Sequence, residues 1–317
     1  MEVTVSRGAR TVRRFRARSR AAGRTIKLRL PGRGRPRGAY RVRITARPVG
    51  APAPDGPPHR APALTARAGS GTFLARPQER CLTPILRGVH ALQEVEGVAE
   101  SALGDADAAR LPGESAPAPW ATVLDAVVWF HRAASGAAER LPAALQRRRR
   151  LPVTVGALIR YRETPVGPYH EVLASPVVLA GTRGPEAVVP FIAVDSLPSV
   201  RGGRENWALP KTLARFEWPE SARGCFELDA EGAGWSVHAT VRPRARRLPF
   251  AARTRNRQVT PAGQEVIFDS AWRGRARVAW VELETRGPTL PGWLRAGRWP
   301  ALALEGASVR VGAARPG

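Results

Sequence analysis

Lys211 stands in the run Arg201 to Phe216, RGGRENWALPKTLARF, and with Lys27 it is one of only two lysines among 51 basic residues. A neutral amine can attack a carbonyl carbon, expel water and hold the substrate as an imine. A guanidinium, which stays protonated, cannot. Among Trp207, Ala208, Leu209, Pro210, Leu213 and Ala214 the amine loses hydration that favours its charged form, so its pKa is expected to fall. The residues alone leave a plainer reading equally open, a single lysine surviving in an arginine-biased composition. Arg201, Arg204 and Arg160 are of the type that grips a carboxylate bidentately, and each could equally be a surface charge. For Arg204 a bracing role, shared with Glu205 in the loop before Lys211, is preferred. Tyr169 and Trp207 complete the candidate substrate-binding set.

Other chemistries lack their residues. His131, His170 and His238 are scattered with no HxH or HExxH spacing, so no metal is expected. No phosphate loop, GxSxG element or GxGxxG fingerprint occurs, and no organic cofactor is expected. If Tyr169 and Glu171 face one side of a strand, His170 between them faces the other.

The elements that must position these groups lie in a chain of 317 residues, 43% hydrophobic, enough for a core in one large or two modest domains. Cys81 and Cys225 form no CxxC, which fits a reducing compartment and no disulfide framework. The opening MEVTVSRGARTVRRF has no apolar core region and no run is long enough to span a bilayer, so a cytoplasmic protein without a membrane partner is expected. Of the net charge of +25, +15 falls on residues 1–50, which hold fifteen arginines and Lys27 against Glu2.

Residues 1–50 form a basic, hairpin-like extension with strands at Thr25 to Leu30 and Ala39 to Ala46 around a Gly/Pro/Arg turn. The pattern TIKLRLP…GAYRVRITA resembles the last hairpin of bacterial immunoglobulin-like repeats. A lone hairpin is marginal in water, so a loosely ordered extension is expected. Its arginines could meet phosphates, but only Phe15 and Tyr40 offer stacking rings. Residues 51–118 read as a Pro/Ala-rich linker with a helix over Leu82 to Ala109, where Ile85, Val89, Leu92 and Val95 recur at helical spacing. From residue 119 to 317 the texture is of short strands. They fall at Thr122 to His131, Val153 to Tyr161, Tyr169 to Leu179, Ala187 to Val194, Gly224 to Leu228, Trp235 to Arg242, Gln264 to Ser270 and Ala276 to Glu284. A short helix is expected over Ala133 to Leu145 and a solvated turn at arginines 147–150. An α+β, mainly β domain follows, its antiparallel sheet closed or sandwiched around a core.

Three segments, PWATVLDAVVWFHRA (Pro119 to Ala133), LIRYRETPVGPYHEV (Leu158 to Val172) and PFIAVDSLPSVRGGRENWALPKTLARF (Pro190 to Phe216), resemble the acetoacetate decarboxylase family. The carrying motifs are Gly203, Arg204, Glu205, Pro210, Lys211 and Leu213, with Gly167, Tyr169 and Glu171 upstream. The resemblance covers roughly the last two hundred residues. It implies a cone-shaped antiparallel β-barrel with flanking helices and an internal active site. It also implies that Lys211 is the Schiff-base lysine and Glu171 the carboxyl that moves protons beside it. Without it, Glu171 reads as a half-exposed strand carboxylate.

Three positions depart from the family pattern. The decarboxylase has a second lysine after the first, whose charge lowers the nucleophile's pKa; here Thr212 follows. The family's second glutamate falls near Gly156, and no arginine lies around Leu124. The expectation is a lyase that acts on a small keto acid through a lysine imine, by decarboxylation or aldolase-dehydratase chemistry, with a homo-oligomer possible in form. Its rivals are an inert ligand-binding barrel and a basic-arm nucleic-acid binder.

Overall fold

The structure, a computed structural model, describes residues 91–219 and 225–317 with their side chains, and the helix residues 89–90 and six earlier strands as backbone. The chain divides into two units, Met1–Arg80 and Cys81–Gly317. The first contains β1 (Glu2–Arg7), β2 (Arg10–Arg16), β3 (Ile26–Leu28), β4 (Ala39–Thr45), β5 (Leu64–Arg67) and β6 (Phe73–Ala75). The two strands expected in the extension are present, but not as a hairpin. β4 lies between β1 and β5, and β3 pairs with β6. The hairpin reading considered only neighbouring segments, whereas the alternating run EVTVSR supplies β4 with a partner that starts at the second residue. β5 also falls inside the expected linker. The turn at residues 31–38 and the arginine side chains of a nucleic-acid arm lie outside the described residues.

The second unit is mainly β. Its strands are β7 (Trp120–Arg132), β8 (Arg150–Leu151), β9 (Val153–Glu163), β10 (Tyr169–Ser175), β11 (Val178–Gly181), β12 (Gly184–Ala187), β13 (Phe191–Val194), β14 (Thr212–Leu213), β15 (Arg215–Glu217), β16 (Phe226–Gly232), β17 (Trp235–Pro243), β18 (Leu248–Val259), β19 (Glu265–Arg286), β20 (Gly297–Val311) and β21 (Arg315–Pro316). One ladder runs β14-β13-β10-β9-β7-β20-β19-β18-β12-β11-β8, with β17, β16 and β15 branching in turn from β19. Among the described residues this ladder does not close on itself. The pairs β13/β14 and β12/β18 are parallel and the others antiparallel. Two expected strands, Gln264 to Ser270 and Ala276 to Glu284, are one 22-residue strand, β19. It pairs with β18 along its first half and β17 along its second. Its register slips at Gly274, whose bare Cα meets Ala307 of β20.

The helix expected over Leu82 to Ala109 is broken; its part before residue 89 lies outside the described residues. What is present is α1 (Val89–Gln93), a 3-10 turn Ala99–Ser101 and α2 (Asp105–Ala109). Gly97 breaks the pattern because the chain there presses on Pro190 O and Pro210, where a Cβ would lie 2.7 and 2.8 Å away. The helix expected over Ala133 to Leu145 is likewise two 3-10 turns, Ala137–Arg140 and Ala143–Leu145, parted by Pro142, which has no N–H to continue the ladder.

Residues 92–111 belong to the core of this unit. Leu92 and Val95 pack with Ile192 and Trp207, Val98 joins Phe191, and Leu103 and Ala108 pack on Val194 and Val200. The compact unit therefore starts at Cys81, whereas the expected boundary was near Ala118. The linker reading weighed proline and alanine content and missed the few apolar residues that insert. Burying Leu92, Val95, Val98 and Leu103 contributes on the order of 6–12 kcal/mol at about 1.5–3 kcal/mol each, against a typical total of about 5–15 kcal/mol. A chain beginning at residue 81 is thus expected to melt cooperatively, and one beginning at Pro119 to be insoluble or to lack a melting transition. A normal melt of the shorter chain would refute this.

Candidate active site

Lys211 is placed by the helix that precedes it. α3 (Leu197–Trp207) starts at Ser196, whose Oγ accepts the Ser199 N–H at 3.3 Å, with Pro198 in its first turn. It ends at Ala208, whose φ of 51° is left-handed. There the Ala208 and Leu209 amides donate to the carbonyls of Arg204 and Gly203 at 3.1 and 3.2 Å. This turn folds the chain back so that the lysine stem runs across Gly203. A Cβ at residue 203 would stand 2.5 Å from Lys211 Cδ and 2.7 Å from Cε, and one at 202 would meet the Trp120 ring at 2.6 Å. The adjacent glycines thus let the helix approach a core tryptophan on one side and the lysine on the other. Gly203→Ala should lower keto-acid trapping by about 10- to 100-fold, the scale expected of a misplaced reacting group. Melting should barely change, because alanine favours the helix. Trapping at the parent rate would show that the close approach is not needed.

Strand alternation brings the partners. β10 turns Tyr169 and Glu171 inward, and Tyr169 opposes Tyr161 of β9, the two rings stacking at 4.4 Å. Lys211 Nζ lies 2.6 Å from Glu171 Oε2, 3.0 Å from Ser199 Oγ and 3.5 Å from Tyr169 OH. Tyr161 OH donates to Glu171 Oε1 at 3.1 Å. The lysine and glutamate side chains are 4% and 3% exposed. Burial pushes the Lys211 pKa down, but the Glu171 carboxylate beside it and Tyr169 outweigh burial and hold it above the ordinary lysine value. The expected fall is therefore reversed, because the apolar neighbours in sequence say nothing of a carboxylate forty residues earlier. Burial raises Tyr169 to about 12 and holds Tyr161 well above its ordinary value, so both phenols keep their protons as hydrogen-bond donors.

The other residues singled out from the sequence lie elsewhere. Arg204, fully buried, donates from Nε, Nη1 and Nη2 to the carbonyls of Lys211 at 2.6 Å, Leu92 at 2.5 Å and Ser101 at 3.0 Å. Burial lowers its pKa to about 9. It braces backbone, and none of its donors is turned to the amine. Arg201 pairs with Glu205 at 2.6 Å and donates to Pro112 O. Arg160 binds Asp125 at 2.7 Å on the outer face of β9. Trp207 donates to Gly312 O and packs edge-on against Trp120 in the core. The sequence reading missed Ser199 and Tyr161. Ser199 lies three positions into a capped helix with proline in its first turn, and Tyr161 is two residues before a glutamate in an evident strand.

The sequence matches the family model for acetoacetate decarboxylase over residues 108–267. The chain belongs to the acetoacetate decarboxylase family. No curated protein matches it by sequence. Among solved structures it is similar to one from structural studies of acetoacetate decarboxylase, at 13% identity and a TM-score of 0.49, over 63% of this chain and 89% of that one. A second is acetoacetate decarboxylase from Legionella pneumophila subsp. pneumophila str. Philadelphia 1, at 14% and 0.46, over 63% and 87%. A third is the enduracididine biosynthesis enzyme MppR, complexed with the condensation product of pyruvate and imidazole 4-carboxaldehyde, at 16% and 0.44, over 64% and 92%.

Where this family member departs from the pattern, the positions have other work. Thr212 Oγ1 donates to Ala102 O at 2.9 Å. Gly156 makes room for the Trp129 ring, and Leu124 is fully buried in an apolar cluster. Among the described residues no helix is long and apolar enough to cross a membrane, and no three His, Cys, Asp or Glu are grouped to hold a metal ion.

Proposed function

We propose that this chain is a Schiff-base-forming lyase acting on a small keto acid, with Lys211 as nucleophile and Glu171 as the group that moves protons beside it. The observation that carries this reading is the buried contact of 2.6 Å between Nζ and Oε2. The resting pair is ammonium and carboxylate. Transfer of one proton from Nζ to Oε2 yields a neutral amine and a neutral acid, and the amine adds to the ketone carbon. Glu171 returns the proton to the carbinol oxygen as water leaves and the imine forms. The iminium then accepts the electron pair of the adjacent carbon–carbon bond, either the bond to a departing carboxylate or one to a departing carbonyl fragment. Glu171, again a carboxylate, takes the hydroxyl proton of a departing carbonyl fragment, or a proton from water when carbon dioxide departs, and delivers it to the enamine carbon. Tyr161, donating to Oε1, fixes the carboxyl, while Ser199 and Tyr169 steady the amine.

The family's cone-shaped barrel is part of this proposal, with β14 and β8 at its seam. It is supported by one apolar cluster that unites Val172 and Phe191 with Leu228, Val237 and Val281 from the far branch of the ladder.

One observation favours a second reading, a ligand-binding barrel without catalysis: the amine is held as an ammonium, with Thr212 in place of a second cation. Borohydride reduction in the presence of pyruvate, acetoacetate and longer keto acids, read by mass spectrometry, decides between them. The lyase reading requires a reduced adduct on Lys211 and turnover of the same keto acid. Reversible binding of a keto acid with neither adduct nor turnover would leave the second.

A further inference from the structure

Strand register carries the face that bears Glu171 well beyond the reactive pair. Glu171 of β10 stands opposite Ile159 of β9, Ile159 opposite Ala126 of β7, Ala126 opposite Leu304 of β20, and Leu304 opposite Ala276 of β19. Two residues along, about 7 Å away, Leu173, Ala157, Val128 and Leu302 form a second row on the same face. Glu171 is the one charged residue of the two rows. Other acids and bases of these strands, Asp125, Arg160 and His170 among them, take the alternate positions and point to the opposite face. Tyr161 joins this face to the reactive pair: its hydroxyl donates to Glu171 Oε1 while its ring packs on the cluster that the rows form.

The face is apolar but not sealed. Ile159, Ala126, Ala157, Ala276 and Leu304 are buried, whereas Leu173, Val128, Leu302, Phe250 and Trp272, which pack against them, are each half-buried. Leu173 is two residues from Glu171 and packs against two clusters at once, that of Ile159 and that of Ile192 and Trp207. Its open side is surface that a hydrocarbon group can cover, and each methylene so buried strengthens binding by about 4-fold. A carboxylate placed there would lose its water with no guanidinium to answer it. Arg204 is spent on three carbonyls, and Arg201 on Glu205 and Pro112 O.

We propose that the carbon chain of the substrate lies along this face with its end against Leu173, so that the keto acid has a single carboxylate and an apolar tail of several carbons. The keto acid rests on the Schiff-base reading of Lys211; the apolar face does not. The test is borohydride trapping on the full chain, below saturation, of pyruvate, 2-oxopentanoate and 2-oxoglutarate, each rate divided by that with free Nα-acetyllysine. Two added methylenes predict that 2-oxopentanoate is preferred to pyruvate by about 10-fold. It should be preferred by about as much to 2-oxoglutarate, which has the same length and a charged end. Leu173→Asn, close in size but polar, should cut the first preference about 3-fold or more, and Leu173→Trp, which fills the place, should abolish it. A substitution that merely loosened the fold would lower all three keto acids alike. A parent ratio near one, a diacid trapped as well as the monoacid, or ratios unchanged in a folded variant overturns the proposal. If no keto acid is trapped, the Schiff-base reading has failed, and calorimetric binding of hexanoate against butanoate judges the face alone. Hexanoate tighter by about 10-fold upholds it; equal affinity, or no binding of either, overturns it.

Discussion

Lys211→Arg is expected to give no reduced adduct with any keto acid at any pH, and to lower turnover on the order of 10⁴-fold or more, as loss of a nucleophile does elsewhere. Arginine keeps the positive charge that answers the buried Glu171, so the ion pair is not left half-made. It cannot become a nucleophile, because its guanidinium stays protonated. Arginine is also bulkier, and the lysine stem already runs against Gly203. Lys211→Met, of similar length, is therefore the companion variant. At least one of the two should melt within a few degrees of the parent while both fail to trap. An adduct of undiminished yield in either folded variant, mapped to another residue, would remove Lys211 from the chemistry.

Glu171→Gln should behave in two opposite ways. Turnover should fall by about 10²- to 10⁴-fold, the usual worth of a positioned acid or base. The amine should become easier to release. Burial pushes the Lys211 pKa down and the carboxylate is the foremost influence raising it; with the carboxylate gone, burial dominates. The pH midpoint for trapping should move down from its place above the ordinary lysine value, while imine formation, like turnover, slows for want of the proton that Glu171 returns to the carbinol oxygen. A midpoint that stays or rises would mean that Glu171 does not govern the amine. Stability follows the same sign. A raised lysine pKa contributes stability fully present below the unfolded value of about 10.4 and lost as pH rises through the folded one. Chemical-denaturant midpoints at alkaline pH should therefore fall more in the parent than in Glu171→Gln.

How much of this could be read beforehand varied with the kind of interaction. Of the two residues in contact at 2.6 Å, Lys211 was legible from rare lysine usage and the family motif together, Glu171 from the motif alone. Strands with apolar alternation were legible too. β18 was not, because Arg253, Arg255 and Arg257 fill one face of PFAARTRNRQV and mask its period of two. α3 was hidden by Pro198, Gly202 and Gly203, residues of low helix propensity whose small size is required by what packs on them. The direction of the lysine pKa depended on one contact between residues forty positions apart. No local composition carries that information. The tentative carboxylate clamps were misleading for a related reason: guanidinium groups are equally suited to carbonyls, and Arg204 spends its donors on three of them.

That arrangement ties reactivity to completeness. The cation that holds the Lys211 carbonyl also holds those of Leu92 and Ser101, so the amine is aimed only when a stretch more than a hundred residues earlier is docked. A copy nicked in that stretch, or one in which it peels away while the sheet persists, loses its hold on the lysine at the same moment. If Lys211 forms imines as proposed, damage then silences the molecule instead of leaving a loose amine to condense with whatever aldehydes and ketones surround it.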